Sequence, residues 1–230
     1  MILQVAALVS GGKDSALALY HARQMGYYVK FLVTMIPQRN DSWMFHFPNI
    51  RLTNLFAKAT CIPLVTQETS GLKEREVEDL KGILRTLPVE GIVAGTISSE
   101  YQRKRISNIC EELELKSITP LWGNEPINLL RELVALNFKT QIIGAYANGF
   151  DESWLGRQID AQTISDLLDL NKKFEISIVG EGGEYETLVL DAPFFQKKIV
   201  LLQTRKVWMN QSGYLHVEKA ELVEKHGGRE

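Results

Sequence analysis

The chain has 230 residues, the length of one large domain or of two small ones. Apolar residues make up 45% of it and charged residues 23%, which is the balance of a globular protein and excludes disorder across the whole chain. The formal net charge is −2, from 26 basic and 28 acidic residues, so no global positive field attracts nucleic acid.

The first part of the chain alternates between predicted strands and predicted helices. Residues 2–9 are apolar apart from Gln4 and do not alternate with polar residues, which is typical of a fully buried strand. A helix is predicted over 14–25, ending before Gly26. The next predicted elements are a strand over 28–35, a helix over 49–60, a strand over 63–66, a helix over 73–87, a strand over 91–95 and a helix over 99–113. This alternation predicts a mainly parallel sheet with helices on both faces.

An unusually apolar loop over 37–48 interrupts this pattern. It carries Trp43, Met44, Phe45 and Phe47, so we expect it to cover another surface or to be covered itself. Two interpretations stay open, a lid over a bound nucleotide and a surface loop that folds its aromatic rings into the core.

The pattern of residues changes after Leu121 and Trp122. The elements predicted there are a helix over 126–136, a strand over 140–147, a loop and helix over 149–170 and a strand-rich end over 184–224. We therefore predict an α/β fold in two parts, a parallel sheet followed by a smaller α+β domain, with a boundary near residues 122–126.

The strongest local signal is SGGKDS at residues 10–15, between a predicted buried strand and a predicted helix. Gly11 and Gly12 let the backbone approach a phosphate closely, and the start of the helix favours an anion. Ser10 and Ser15 add hydroxyl donors. The side chains at the centre of the loop are charged: Lys13 adds a cation, and Asp14 either caps the helix or helps to hold a magnesium ion. The segment is not a Walker loop, whose GxxxxGK[ST] pattern it does not fit.

A second group of polar residues, GTISSEYQRKR at 95–105, follows the fourth predicted strand. In a doubly wound sheet, ligands bind beyond the carboxyl ends of the strands, which places Gly95 and Thr96 near the loop at 10–15. On a helix Ser98, Tyr101 and Arg105 share one face, while Arg103 points elsewhere. Arg105 therefore either faces a phosphate or is a solvated surface charge, and spacing alone does not decide between the two.

A third unusual segment, GEGGEYET at 180–187, has three glycines and three glutamates in eight residues. If Glu184 starts a strand, Glu184 and Glu186 share one face and Tyr185 and Thr187 the other. The paired carboxylates suit a metal ion or an organic cation, but an exposed turn before a strand explains the composition equally well.

Several classes of site are not indicated. The four histidines have no metal-ligand spacing, and no GxSxG nucleophile motif occurs. Cys61 and Cys110 are far apart, so we expect two buried thiols in a reducing compartment. No apolar run reaches the roughly 20 residues that cross a bilayer, and the start of the chain resembles a strand rather than a signal peptide. These features predict a cytoplasmic protein without a membrane partner.

Together these segments resemble a known family. SGGKDS matches the SGGxDS signature of PP-loop ATP pyrophosphatases, and GEGGEYETLVLDAP at 180–193 is far more specific. With SWMFH at 42–46, PLW at 120–122 and WLG at 154–156, the chain resembles the diphthine–ammonia ligase family from residue 10 to about 193. Val179 is among the few small departures, and none falls at a polar motif position.

The resemblance implies a Rossmann-like sheet of the adenine nucleotide alpha hydrolase type, with an ATP-binding domain over 1–123 and a substrate-binding domain over 124–230. It implies ATP and Mg²⁺ as ligands, with ammonium and an elongation factor 2 that carries diphthine as partners. The diphthine carboxylate would attack the α-phosphate of ATP, and ammonia would convert the resulting acyl-adenylate to diphthamide. Diphthine carries a quaternary ammonium, which carboxylates and aromatic faces attract.

The resemblance also implies roles for individual residues. The expected catalytic residues are Lys13, Asp14 and Arg105, with Asp14 also as the metal ligand. The expected ATP contacts are Ser10, Gly11, Gly12, Lys13, Asp14, Ser15, Gly95 and Thr96. The expected substrate contacts are Tyr101, Glu181, Glu184, Tyr185, Glu186 and Thr187.

Three other functions remain open at this point. A tRNA-thiolating PP-loop enzyme usually needs a cysteine pair and a basic RNA surface, and neither is visible. A small-molecule amide ligase is disfavoured by the breadth of the EGGEYET match. A sensor that binds ATP without turnover would have the same loop. A homodimer is compatible with the sequence, although no feature favours one.

Overall fold

The structure of the protein is a computed structural model that describes residues 2–37, 49–70 and 73–225. The apolar loop predicted over 37–48 therefore lies, apart from Pro37, outside the described residues. The chain divides into two compact units. Unit 1 comprises residues 1–53 and 62–124, and unit 2 comprises residues 54–61 and 125–230.

Unit 1 contains a parallel sheet of five strands. The strands are β1 (Gln4–Leu8), β2 (Tyr28–Pro37), β3 (Leu64–Thr69), β4 (Gly91–Val93) and β5 (Lys116–Ile118). Their order in the sheet is β3-β2-β1-β4-β5, and every neighbouring pair is parallel. This arrangement confirms the predicted Rossmann-like sheet.

Helices connect the strands of this sheet. They are α1 (Lys13–Gln24), α2 (Thr53–Thr60), α3 (Lys73–Arg85) and α4 (Glu100–Glu112), and a single 3-10 turn over Ile50–Leu52 precedes α2. The predicted helices agree with these bounds to within two residues, except at the start of α2, where the 3-10 turn takes the place of the first helical turn.

The core of unit 1 follows from the apolar spacing of its elements. Val5, Ala6 and Ala7 of β1 are at most 1% exposed, as expected for a strand covered on both faces. One core cluster joins Leu80 and Leu84 of α3, four residues apart, to the sheet and to α4. Burial of each such leucine stabilises the fold by about 2 kcal/mol.

The order of the strands places the expected ligand site. The chain runs from β1 outward to β2 and β3, and then returns to β4 on the other side of β1. The connections after β1 and β4 therefore diverge, which leaves a crevice at the carboxyl ends of these two strands. The loop at 10–15 follows β1, and Gly95 follows β4.

Unit 2 contains an antiparallel sheet of four strands. The strands are β6 (Lys139–Ala145), β7 (Tyr185–Asp191), β8 (Lys197–Met209) and β9 (Ser212–Glu224), in the order β7-β6-β9-β8. The helices beside them are α5 (Pro126–Ala135), α6 (Ala161–Phe174) and a 3-10 turn over Glu152–Trp154. This confirms the α+β character and the strand-rich end predicted from the sequence.

Arg157 fixes the segment before α6. Its guanidinium lies over the ring of Trp154, 4.2 Å from the ring centroid, and donates to Asp166 at 2.5 Å and to the hydroxyl of Thr163 at 3.3 Å. The hydrogen bond from Arg157 lowers the pKa of Asp166. Asp160 caps α6 by accepting from the backbone N–H of Thr163. These contacts thus fix the conformation of the WLG segment that precedes α6.

The two cysteines differ in their surroundings. Cys110 is buried, and burial raises the pKa of its thiol to about 11. Cys61 is exposed, so the prediction of two buried thiols is wrong for this residue. Cys61 follows the end of α2 with a φ of 55°, a helix-terminating conformation that turns the chain toward β3.

Among the helices in the described part of the chain, none is long and apolar enough to span a bilayer.

Candidate active site

The loop at 10–15 forms a tight connection between β1 and α1. Gly11 has a φ of +83°, a left-handed conformation that a residue with a side chain rarely adopts. Gly12 is the N-cap of α1, and no side chain caps the helix. The helix thus starts at a glycine, where a phosphate can approach the first turn. Asp14 lies inside that turn and not at the cap, so the helix-capping role considered for it is wrong.

Two hydroxyls hold the loop in shape. The backbone N–H of Gly12 donates to the Ser10 hydroxyl at 3.4 Å. The Ser15 hydroxyl donates to the carbonyl of Gly12 at 3.1 Å and accepts from the backbone N–H of Ser10 at 3.4 Å. The hydroxyls of Ser10 and Ser15, which are predicted to donate to a phosphate, therefore also hold the loop in its shape.

Lys13 and Asp14 form an ion pair in the first turn of α1. Lys13 is 3% exposed, and its ammonium donates to both carboxylate oxygens of Asp14, at 3.0 and 2.8 Å. A buried ammonium needs such a partner, because burial of an isolated charge costs several kcal/mol. The first turn of α1 thus holds one ammonium, which is paired with one carboxylate.

Gly95 packs directly against this turn. A Cβ at position 95 would lie 2.7 Å from the carbonyl carbon and oxygen of Asp14 and 2.8 Å from the backbone nitrogen of Ser15. The next residue, Thr96, is 4% exposed. The structure therefore brings Gly95 to the loop at 10–15, as its position after β4 predicts.

Two arginines of α4 stack on aromatic rings. Ser99 caps the helix by accepting from the backbone N–H of Gln102. The guanidinium of Arg105 lies 4.0 Å from the ring centroid of Tyr101, one turn earlier, as the i, i+4 spacing predicts. That of Arg103 lies 4.4 Å from the ring centroid of Trp122. The two cations thus lie on different faces of the helix.

The segment over 180–187 is a tight loop that leads into β7. Gly180 and Gly183 have φ values of +69° and +87°, so the loop needs its glycines. Glu184 precedes the strand, and its Oε1 accepts from the backbone N–H of Ser177 at 3.0 Å. Its Oε2 is buried and has no hydrogen-bond partner among the described residues. This loop therefore presents a carboxylate oxygen that is removed from water.

Tyr185 lies on the opposite face of β7 from Glu186. It is 3% exposed, its hydroxyl donates to the carbonyl of Ile178 at 2.7 Å, and its ring packs against Gly180 and Phe150. The expected contact between Tyr185 and a substrate does not fit this burial. The strand starts at Tyr185, one residue later than considered, so Glu184 lies just outside it, with its carbonyl accepting from the backbone N–H of Tyr146.

The sequence did not indicate that the aromatic ring of Tyr146 lies beside the carboxylate of Glu186. Its hydroxyl lies 3.5 Å from Oε2 of Glu186, and its backbone N–H donates to the carbonyl of Glu184. The only signal in the sequence was Gly144, since a glycine inside a strand often marks the close approach of another group.

No group of three or more His, Cys, Asp or Glu side chains with the geometry of a metal site occurs among the residues that the structure describes. A magnesium ion at the phosphate loop would therefore depend on Asp14 and on the phosphates of a nucleotide, which suits a cation that retains several waters.

Comparison with known families gives two matches that together cover most of the chain. A model of the diphthamide synthase N-terminal domain matches residues 3–117, and a model of the diphthamide synthase C-terminal domain matches residues 125–223.

Known relatives agree with these matches. Diphthine–ammonia ligase of Homo sapiens is 34% identical over 247 residues, covering 97% of this chain and 92% of the human protein. Diphthine–ammonia ligase of Schizosaccharomyces pombe is 36% identical over 239 residues, covering 94% of this chain and 39% of that longer protein.

Among solved structures, a predicted subunit of tRNA methyltransferase from Methanocaldococcus jannaschii is similar with a TM-score of 0.46 and 17% identity. The similarity covers 84% of this chain and 98% of that one.

Proposed function

The chain belongs to the diphthamide synthase family, and from this premise we propose that it amidates the diphthine carboxylate of elongation factor 2 with ammonia, at the expense of ATP. The observation that carries the proposal is the position of the loop at 10–15. It lies at the crevice between β1 and β4, with Gly95 against it, in a chain that the family matches over both domains.

The proposed reaction has two steps. The diphthine carboxylate attacks the α-phosphorus of ATP and pyrophosphate leaves, which gives an acyl-adenylate. Ammonia then attacks the acyl carbon, AMP leaves, and the amide of diphthamide forms. The first step needs the β- and γ-phosphates to be held and their growing negative charge to be stabilised, while the α-phosphate stays accessible.

The residues of unit 1 suit this first step. Backbone groups of Gly11 and Gly12 receive the β- and γ-phosphates together with the hydroxyls of Ser10 and Ser15. Lys13 and Arg105 supply positive charge to the leaving pyrophosphate. The further ATP contacts we propose are Gly95 and Thr96. We assign this work to the domain over residues 1–123.

Magnesium fits the same place through Asp14, the carboxylate in the first turn of α1. When bound with ATP, the ion would neutralise phosphate charge. In the structure this carboxylate accepts hydrogen bonds from the ammonium of Lys13. Magnesium binding would therefore exchange the partner of Asp14 and release the ammonium of Lys13 toward the phosphates.

The domain over residues 124–230 would hold the diphthine side chain. We propose Glu181, Glu184, Glu186 and Thr187 as its contacts, and we omit the buried Tyr185. Tyr101 remains a further substrate contact that we propose. Substitutions Glu184→Gln and Glu186→Gln remove negative charge at nearly constant shape. They are expected to weaken affinity for the modified factor, and unchanged affinity in both would count against these contacts. Because elongation factor 2 works in translation, we place the reaction in the cytoplasm.

The rival thiolation chemistry gains no support from the cysteines. It depends on thiolates, and burial raises the pKa of Cys110 to about 11, so its thiol stays protonated at neutral pH. Cys61 belongs to unit 2, whereas Cys110 belongs to unit 1.

The decisive experiment follows α-labelled ATP by thin-layer chromatography in the presence of magnesium, ammonium and elongation factor 2. Labelled AMP that appears with the diphthine-bearing factor, and not with an unmodified one, is the expected result. No AMP under any condition would favour an ATP sensor. AMP formed with tRNA in place of the factor would indicate an RNA-modifying enzyme.

A further inference from the structure

The register of three strands in unit 2 brings a carboxylate and a tyrosine to opposite sides of a glycine. Gly144 of β6 pairs with Glu186 of β7 on one side and with Tyr214 of β9 on the other. Residues that lie directly opposite each other in an antiparallel sheet project to the same face. The side chains of Glu186 and Tyr214 therefore stand on one face of the sheet, which we call the carboxylate face.

The opposite face of the same strands is the core of unit 2. Ala145 pairs with Tyr185 and with Gly213, and these residues are buried, as are Leu215 and Val217 further along β9. The alternation of side chains along each strand thus separates a packed face from a polar one. Tyr185 belongs to the packed face, so its ring is not available to a ligand on the carboxylate face.

Tyr146 fills the gap above the glycine. A Cβ at position 144 would lie 2.5 Å from the Tyr146 hydroxyl and 2.8 Å from two of its ring carbons. The hydroxyl end of the Tyr146 ring therefore lies directly over Gly144, on the face that carries Glu186 and Tyr214. Its hydroxyl is 3.5 Å from Oε2 of Glu186. Gly144 is required here because any side chain would displace this ring.

The ring of Tyr146 stays uncharged over the physiological range. Burial, and to a lesser degree the neighbouring Tyr214, raise the pKa of Tyr146 to about 12. The carboxylate face thus combines the neutral phenol ring of Tyr146 and the ring of Tyr214 with the carboxylate of Glu186. Neutral aromatic faces beside carboxylates attract an organic cation.

The surroundings of the Glu184 carboxylate indicate what kind of ligand it suits. Its backbone carbonyl accepts from the N–H of Tyr146, so the two residues lie side by side where β7 begins. Its Oε2 is buried without a hydrogen-bond partner among the described residues, which costs free energy in the absence of a ligand. A cation that carries charge but no N–H donor, which is a quaternary ammonium, compensates this oxygen by charge alone.

We propose that Tyr146 and Tyr214 are specificity-determining residues that bind the quaternary ammonium of the diphthine side chain against Glu184 and Glu186. This inference rests on the proposed function and deepens it, because it replaces Tyr185 with two tyrosines that the sequence pattern did not indicate. Each ring contributes to substrate affinity through its face and not through its hydroxyl.

The test measures KM for the diphthine-bearing factor at saturating ATP and ammonium. Tyr146→Leu and Tyr214→Leu are each expected to raise this KM about 3- to 30-fold, the range of cation–π interactions. Tyr146→Phe keeps the ring and is expected to restore most of the affinity. Tyr28→Leu is the matched control, because Tyr28 is 59% exposed at the start of β2 in unit 1.

A second readout uses a probe without the rest of the substrate. Tetramethylammonium is expected to compete with the factor in the wild type and to compete less in Tyr214→Leu, whereas the uncharged neopentyl alcohol should compete in neither. Thermal unfolding shows whether Tyr146→Leu folds. If it does not fold, competition by tetramethylammonium in Tyr214→Leu still tests the proposal.

The outcomes separate the inference from the function on which it rests. If the wild type forms diphthamide but KM for the factor changes less than twofold in both leucine variants, the two tyrosines do not bind the cation. If KM for ammonium rises instead, the site takes ammonium and the inference is wrong. If the wild type forms no diphthamide with any factor, the proposed function fails first and the inference fails with it.

Discussion

Gly95 lies so close to Asp14 that no side chain fits between them. A Cβ on Gly95 would be 2.7 Å from the carbonyl carbon and oxygen of Asp14, well inside van der Waals contact. The end of β4 and the first turn of α1 are therefore fixed to each other through backbone contact. Because the loop at 10–15 leads into α1, the position of that loop depends on a glycine that is distant in the sequence.

We expect Gly95→Ala to damage ATP binding more than it damages stability. The added methyl must push the first turn of α1 away, which costs about 1–3 kcal/mol in unfolding free energy and shifts the loop at 10–15. KM for ATP should rise at least about tenfold, because a displacement near 1 Å is enough to lose phosphate contacts. Steady-state AMP formation at varied ATP, together with urea unfolding, measures both effects.

Gly82→Ala is the control for this substitution. Gly82 lies within α3, and a Cβ there would meet no atom within 4 Å. Alanine in a helix is more stable than glycine by about 1 kcal/mol, so this variant should unfold at a higher urea concentration. Its KM for ATP should equal that of the wild type. A similar rise in KM in both variants would contradict the packing argument.

The phosphate loop could be predicted from the sequence because its determinants are local. A buried strand, two glycines and a helix follow one another within residues 2–25, and their order defines the loop. The contact between Arg105 and Tyr101 was equally predictable, since helical periodicity brings residues four apart together. The approach of Gly95 to the loop at 10–15 could be predicted from the rule that ligand sites of doubly wound sheets lie at the carboxyl ends of the strands.

The carboxylate face could not be predicted in this way. It depends on the register in which β7 and β9 pair with β6, and these strands are far apart in the sequence. A shift of one residue would send Tyr214 to the other side of the sheet. The same limit explains the assignment of Tyr185 to a substrate: a polar neighbourhood in the sequence suggested exposure, while the strand alternation buries this ring.

The ion pair between Lys13 and Asp14 gives a prediction about magnesium. Substitution Asp14→Asn removes the carboxylate that we propose for the metal and also the charge partner of a buried ammonium. The magnesium concentration for half-maximal AMP formation should rise about tenfold, because a neutral amide is a weaker ligand for this hard cation. Titration of magnesium at fixed ATP measures it. An unchanged midpoint with reduced kcat would show that Asp14 acts only on Lys13.

Two arginines of α4 provide a matched pair. Arg105→Gln and Arg103→Gln each remove one charge and one stack on an aromatic ring, Tyr101 or Trp122. If Arg105 stabilises the leaving pyrophosphate, its variant should lose about 100-fold in the rate of AMP formation, whereas the Arg103 variant should stay within about threefold. Single-turnover assays at saturating ATP compare them. Equal losses would mean that the stacks and not the phosphate contact matter.

Cys110 predicts how stability depends on pH. Burial raises its pKa from 9.0 to about 11, so the unfolded chain releases this proton at lower pH than the folded one. The resulting stabilisation is fully present below pH 9 and is lost as pH rises toward 11, at about 1.4 kcal/mol per pH unit. The pKa of Tyr146 is raised from 10.0 to about 12, so this residue adds to the loss of unfolding free energy above pH 10.

Urea unfolding between pH 8.5 and 10 therefore isolates the thiol. Cys110→Ala should remove about 1 kcal/mol of the fall in unfolding free energy over this interval, because alanine has no proton to release. Any cavity left by the smaller side chain lowers stability equally at each pH and cancels in the comparison. Equal slopes in the wild type and in Cys110→Ala would show that the Cys110 thiol titrates alike in the folded and unfolded chain.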